Sequence, residues 1–370
     1  MRKGSAMKQL SIVFCLLVGL VFSSGACWGS EVKDGGEAEQ LIYDLISEVV
    51  AGRECTVEEA ERIADYWLSH YDNVKALKWA DHAIEMGSVD ALVTKGRALI
   101  SGGTIKKDEA MGKALIDEAV KKGSDVGMAF KGVLLARGDE GKRKVGKGVS
   151  MLKRAISMGN KDAAHDLGML YLMEKLGKNN YAKSLPYFRK GVKLGSLDSM
   201  RTLGELYSSD MPAIKKDYAK SYEYFEQAAM LGDSESMKLV AWMNQTGMGV
   251  KADPKKAGEW SDKLIALYRK RMTFEDGEAA HQLYSYCLRE DIDPSKKLSD
   301  EEEIELLKKA GDWGYSSGYS SLASIYENGF GDVEKDLEEA LKWYEKAAAM
   351  GNELAKGSVY QLKKRIKKGK

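Results

Sequence analysis

A chain of 370 residues has room for two or three compact domains or for one elongated array. Charged residues make up 31% of it, yet the formal net charge is +1, so the basic surplus that marks a nucleic-acid partner is missing. Only four prolines, with 44% of residues hydrophobic, suit a mostly helical chain with short turns.

In chain order, the first element is a targeting segment. Arg2, Lys3 and Lys8 precede the apolar run LSIVFCLLVGLVF (Leu10 to Phe22), and the small residues Ser23 to Ala26 follow. A basic start, a short apolar core and a small-residue exit predict a secretory signal over residues 1–26, cleaved after Ala26; Met7 serves equally well as its start. The core is shorter than the roughly 20 residues a membrane span needs. Cys27 directly follows the exit and is a candidate lipid-attachment site, although Ser24 stands where such sites usually carry an aliphatic residue. Removing Arg2, Lys3 and Lys8 leaves 54 basic against 56 acidic residues, a net charge of −2. The mature chain then has only Cys27, Cys55 and Cys287, too few for a disulfide framework, so its stability must come from packing.

After a linker at 27–36, one motif recurs to the end of the chain. Glycines close Ala-containing segments at Gly87, Gly123, Gly159, Gly195, Gly232, Gly314 and Gly351, at spacings of 36, 36, 36, 37, 82 and 37. The long interval holds two periods and a small insertion, with Gly277 near its middle, and Gly52 lies 35 residues before Gly87. A fixed period over this length predicts a solenoid.

Each period reads as two helices. After the glycine, Ala163, Leu167, Leu170 and Tyr171 in one copy and Ser199, Leu203, Leu206 and Tyr207 in the next keep to one helical face. Small residues at Gly96, Gly132, Gly168, Gly204, Ala241 and Ala323 share one position, which implies a close helix contact there, since Gly costs about 1 kcal/mol in a helix interior. A polar turn such as Lys215 to Asp217 or Glu334 to Asp336 follows, its Asp placed to cap the second helix. That helix carries an aromatic pair, Tyr224–Phe225 or Trp343–Tyr344, then an Ala pair, and ends at the glycine.

The segment NGFGDVEKDLEEALKWYEKAAAMGNELA, from Asn328 to Ala355, resembles the Sel1-like repeat, a relative of the tetratricopeptide repeat. The resemblance spans about Glu37 to Lys370. The copies near Gly123 and Gly159 replace the aromatic pair with Leu115–Ile116 and Met151–Leu152, and the stretch 253–300, with its longer loop at Asp291–Asp300, departs most. The expected fold is all-α, a right-handed superhelical solenoid of about eight helix–turn–helix units over 37–370, with a basic C-terminal helix in 352–370.

Chemistry-bearing constellations are weak. The four histidines, His70, His82, His165 and His281, show no metal-ligand spacing, and NQTGMGVKADP (Asn244 to Pro254) lacks the Lys-Ser/Thr ending and the preceding strand of a phosphate loop. Every Ser, His or Asp that could join a catalytic set falls on a repeated structural position. Cysteine-rich secreted relatives are linked to penicillin-type ligands, but this chain lacks their cysteine pair in each repeat. The resemblance therefore implies a non-catalytic protein–protein interaction scaffold, without metal or cofactor, that holds a protein or peptide in its concave groove as a monomer. The alternatives are an envelope-anchored lipoprotein adaptor, membrane-bound only through Cys27, and a hydrolase or penicillin-type ligand enzyme like those relatives.

If the inward positions follow the tetratricopeptide geometry, they lie six, ten and thirteen residues after each anchor glycine. His165, Met169, Leu172, Arg201, Glu205, Lys238 and Trp242 are the candidate partner-binding residues; they vary from copy to copy, and they mix apolar anchors with charge. The tail QLKKRIKKGK carries six basic residues in its last eight and is expected to be a solvated helix end favourable to the helix dipole, or else a contact for an acidic partner or anionic lipid.

Overall fold

The computed structural model describes residues 45–46, 48–49, 52–69, 72–138, 142–173, 181–211 and 214–368. The targeting run, Cys27 and the linker lie outside them. Among the described residues, seventeen α-helices from Val57 onward alternate as first and second members of hairpins. The first helices are α1 (Val57–Ser69), α3 (Ala91–Ser101), α5 (Asp125–Arg137), α7 (Lys161–Leu172), α9 (Leu197–Ser208), α11 (Ser234–Thr246), α13 (Gly277–Cys287), α15 (Ser316–Asn328) and α17 (Glu353–Ile366). Their partners are α2 (Asn73–Glu85), α4 (Glu109–Lys121), α6 (Val145–Ser157), α8 (Tyr181–Lys193), α10 (Tyr218–Met230), α12 (Pro254–Met272), α14 (Asp300–Asp312) and α16 (Leu337–Ala349). Eight hairpins thus precede the ninth first-type helix. Among the described residues the only β features are two isolated bridges, Met211 with Ile214 and Phe330 with Val333. The chain is an all-α solenoid.

Short sequence signals punctuate the helices. The Asp of the polar turn caps the second helix as expected: Asp217 accepts from the Lys220 N–H at 3.1 Å, Asp253 from Lys256 at 3.0 Å, and Asp336 from Glu338 and Glu339 at 2.9 Å each. The residue after the anchor glycine caps the next first helix in the same way, through Ser124, Asn160, Ser196, Asp233 and Asn352. Each Gly–polar pair therefore stops one helix and starts another. The glycines adopt φ of +83° to +102° from Gly159 to Gly351, a region in which other residues are strained. In the long interval the anchor is Glu275 (φ +58°), two residues before Gly277. Gly277 instead opens α13, where a Cβ would stand 2.5 Å from the Ala310 carbonyl.

The core is a chain of small clusters. Eight residues after the anchors Gly159, Gly195, Gly232, Glu275 and Gly314, Leu167, Leu203, Val240, Leu283 and Leu322 are buried. One residue further on, Gly168 and Gly204 lie so close to Phe188 and Phe225 that a Cβ on either would come within 2.7 Å of the ring. In the fourth and fifth hairpins the first ring of the aromatic pair stacks back on the first helix: Tyr187 on Tyr171 at 5.5 Å and Tyr224 on Tyr207 at 5.9 Å, both nearly parallel.

First helices of successive hairpins also touch one another, as α1 with α3, α5 with α7 and α13 with α15, whereas no second helices of adjacent hairpins pack comparably among the described residues. Helices that approach more closely on one side of a stack line its inner side.

Candidate partner-binding face

The inner face is crossed by a ladder of polar contacts from one first helix to the next. The residue six after an anchor reaches the residue seven after the following one. His165 Nε2 lies 3.3 Å from Thr202 Oγ1, Lys238 donates to Gln282 Oε1 at 3.1 Å, and His281 Nε2 lies 3.0 Å from Ser321 Oγ. Arg201 cannot make this rung because Leu239 occupies the receiving position. Its guanidinium pairs instead with Asp198 at 2.8 Å and sits 3.6 Å from Asp233, the cap of α11. His165, Arg201 and Lys238 therefore join hairpins while remaining half-buried on the open side. The His281–Ser321 distance would suit a base and a nucleophile. The pair nevertheless fills the same rung as Lys238–Gln282, which makes a joint its simplest role.

Ten and thirteen residues after the anchors the face is more apolar. Met169 and Leu172 pack against the cluster of Phe188, Leu206 and Tyr207. Trp242 packs against the large cluster around Tyr268 and, with Lys238, lines a cleft of about 470 Å³. The far wall of that cleft comes from Tyr286 and the loop after α13. Arg289 holds Asp291 through two bonds of 2.9 and 2.7 Å there, and Lys296 straps the loop to Asp262 and to the Gly258 carbonyl of α12. The long loop noted at Asp291–Asp300 is thus the means by which the sixth and seventh hairpins enclose a recess beside Trp242.

Two carboxyls of this face are held away from their usual ionisation. Burial pushes Glu205 up to about 7, with Asp233 and Asp198 adding to the effect and Arg201 opposing it. Burial likewise pushes Asp166 up to about 8, reinforced by Asp162 and Asp198 and opposed by Arg97 and Arg137. His165 moves the other way, down to about 4, because burial and the Arg201 charge both disfavour its cation. Sequence reasoning missed Asp166, which lies one residue outside the inward positions used to select candidates. Among the described residues no group of three or more His, Cys, Asp or Glu side chains is placed to hold a metal ion.

Stacked hairpins with an open inner face define a helical-repeat solenoid. The Sel1 repeat model matches residues 161–196, 197–233, 234–267 and 316–352, which correspond to the hairpins α7/α8, α9/α10, α11/α12 and α15/α16. Four of the eight described hairpins are therefore Sel1 repeats. A solved Sel1 repeat protein from Oxalobacter formigenes shares the fold at 19% identity and TM-score 0.51, covering 92% of this chain and 98% of that one. A protective antigen of uropathogenic Escherichia coli with an SLR fold is 22% identical over 88% of this chain and 68% of its own, at TM-score 0.46. A Sel1 repeat protein of Klebsiella pneumoniae is 22% identical over 55% and 98%, at TM-score 0.36. Comparison with curated proteins returns no match. Sel1-repeat proteins are commonly protein-interaction scaffolds.

Proposed function

We propose that this protein is an exported, non-catalytic scaffold that binds a protein or peptide segment along the inner face of α7, α9 and α11. One observation carries the reading. On these helices the buried residues eight and nine after the anchor repeat as Leu or Val and Gly or Ala, while the half-buried residues six and ten after it change from copy to copy. Packing accounts for the repetition, and recognition of a non-repeating partner accounts for the variation. The recess beside Trp242 offers a place for one large side chain of that partner.

The test is partner affinity in a Trp242→Ala, Glu205→Gln double variant. Arg201 is kept, because its loss would also open the contact to Asp233. Binding should weaken at least about tenfold, a loss of about 1.4 kcal/mol, with the circular dichroism at the assay temperature unchanged. Unchanged affinity would remove the face from consideration.

Export rests on the run Leu10 to Phe22 and the exit at Ala26. Cys27, directly after that exit, favours a second form of the same reading, a scaffold tethered to the envelope by lipid. The mass of the mature N-terminus separates a free chain from a lipidated one. Turnover of penicillin-type or peptidoglycan substrates would replace the scaffold reading by the hydrolase one.

A further inference from the structure

The last described helix, α17, presents a face that no other described helix covers. Ala355 and Leu362 pack it onto the cluster of Tyr319 and Tyr344. The opposite side carries Lys356, Lys363, Lys364, Lys367 and Lys368, all exposed. Lys356 pairs with Glu353 at 2.6 Å, Lys363 with Glu345 at 2.7 Å, and the flanking Arg365 with Glu327. Lys364, Lys367 and Lys368 have no ion pair among the described residues. Within this basic side Tyr360 is 67% exposed, and Leu354 is 86% exposed near the start of the helix, with Met350 at 40% just before it. Tyr360 stands nine residues after Gly351, where six other first helices place Gly or Ala beneath a second helix. This side of α17 is thus both unusually basic and unusually apolar.

We propose that the exposed face of α17 docks on an anionic phospholipid surface. Its cations are almost all lysines, compact point charges spread over half a helix rather than a planar fork matched to one carboxylate. Such a distribution suits a diffuse sheet of headgroup charge better than one acidic side chain. Tyr360, Leu354 and Met350 supply the apolar and amphipathic groups that settle at the headgroup level. The face lies apart from the α7–α11 groove, so docking leaves partner binding possible and holds whether or not that groove reading does.

The test is co-sedimentation of the exported chain, carrying Cys27→Ser to exclude any lipid at that position. Vesicles of phosphatidylcholine with phosphatidylglycerol are compared with vesicles of phosphatidylcholine alone. Binding should require the anionic lipid, fall steeply with added salt, and drop at least about tenfold in a Lys364→Gln, Lys367→Gln, Lys368→Gln variant with unchanged circular dichroism. Tyr360→Ser should weaken binding without changing its salt dependence. No binding, equal binding to both vesicle types, or a triple variant that binds like the parent chain would overturn the proposal.

Discussion

Gly96 in α3 and Gly112 in α4 meet backbone to backbone: a Cβ on Gly96 would stand 2.7 Å from the Gly112 carbonyl oxygen, and one on Gly112 would stand 2.6 Å from the Gly96 oxygen. The third hairpin repeats this arrangement with Gly132 and Gly148, whereas the fourth and fifth place Phe188 and Phe225 on a single glycine. Either way, the missing Cβ sets how closely the two helices approach.

A methyl at Gly112 gains about 1 kcal/mol of helix propensity but forces an overpacked crossing that costs about 1–3 kcal/mol. Gly112→Ala should therefore destabilise the second hairpin by about 1 kcal/mol, read as faster amide exchange confined to α3 and α4, because a solenoid opens locally. Gly258→Ala in α12 is the control: nothing lies within 4 Å of its Cβ, so it should stabilise by about 0.5–1 kcal/mol.

The Phe188 ring is fully buried and fills the space above Gly168. Phe188→Ala should cost about 3–5 kcal/mol, seen as a lowered denaturation midpoint. Tyr187→Ala, which removes a half-buried stacked ring, should cost much less.

Glu275 occupies the left-handed position that glycine fills in the neighbouring repeats. Relief of that strain should make Glu275→Gly more stable by about 1 kcal/mol, and Gly159→Ala, at φ +102°, less stable by a similar amount. Thermal melts of the two variants should move in opposite directions.

The inner-face carboxyls predict a pH effect. Asp166 and Glu205 have folded values, about 8 and about 7, above their ordinary ones, so the folded state retains protons that the unfolded chain has released. Their contribution is fully present below pH 4 and is lost as pH rises toward 7 and 8. His165 acts in the opposite sense: with its folded value near 4, stability falls as pH drops from 6.5 to 4. Asp166→Asn should melt higher than the parent chain at pH 8 and nearly with it at pH 4. A constant difference between the two melting curves across that range would show that Asp166 ionises normally.

How much of this was legible in the sequence follows from the range of each interaction. The 36-residue period, the turn aspartates, the anchor glycines and the shared small position are local, because each hairpin needs the same cap, stop and close crossing, and repetition makes them visible in one dimension. Glu275 hid its anchor because nothing in its residue type marks a left-handed position, while the glycine of that interval, Gly277, opens α13 instead.

The sequence by itself determined the hairpin and its number of copies, since the apolar side that one repeat must bury against the next, a ring pair in some copies and aliphatic residues in others, recurs with the period. The tertiary structure alone decided what the non-repeating residues do. Whether His165, Arg201 and Lys238 face solvent or span to the next helix depends on which residue the neighbouring hairpin offers, Thr202, Asp233 or Gln282. The burial that shifts Asp166 and Glu205, and the recess beside Trp242 walled by the loop carrying Arg289, likewise exist only once successive hairpins are stacked.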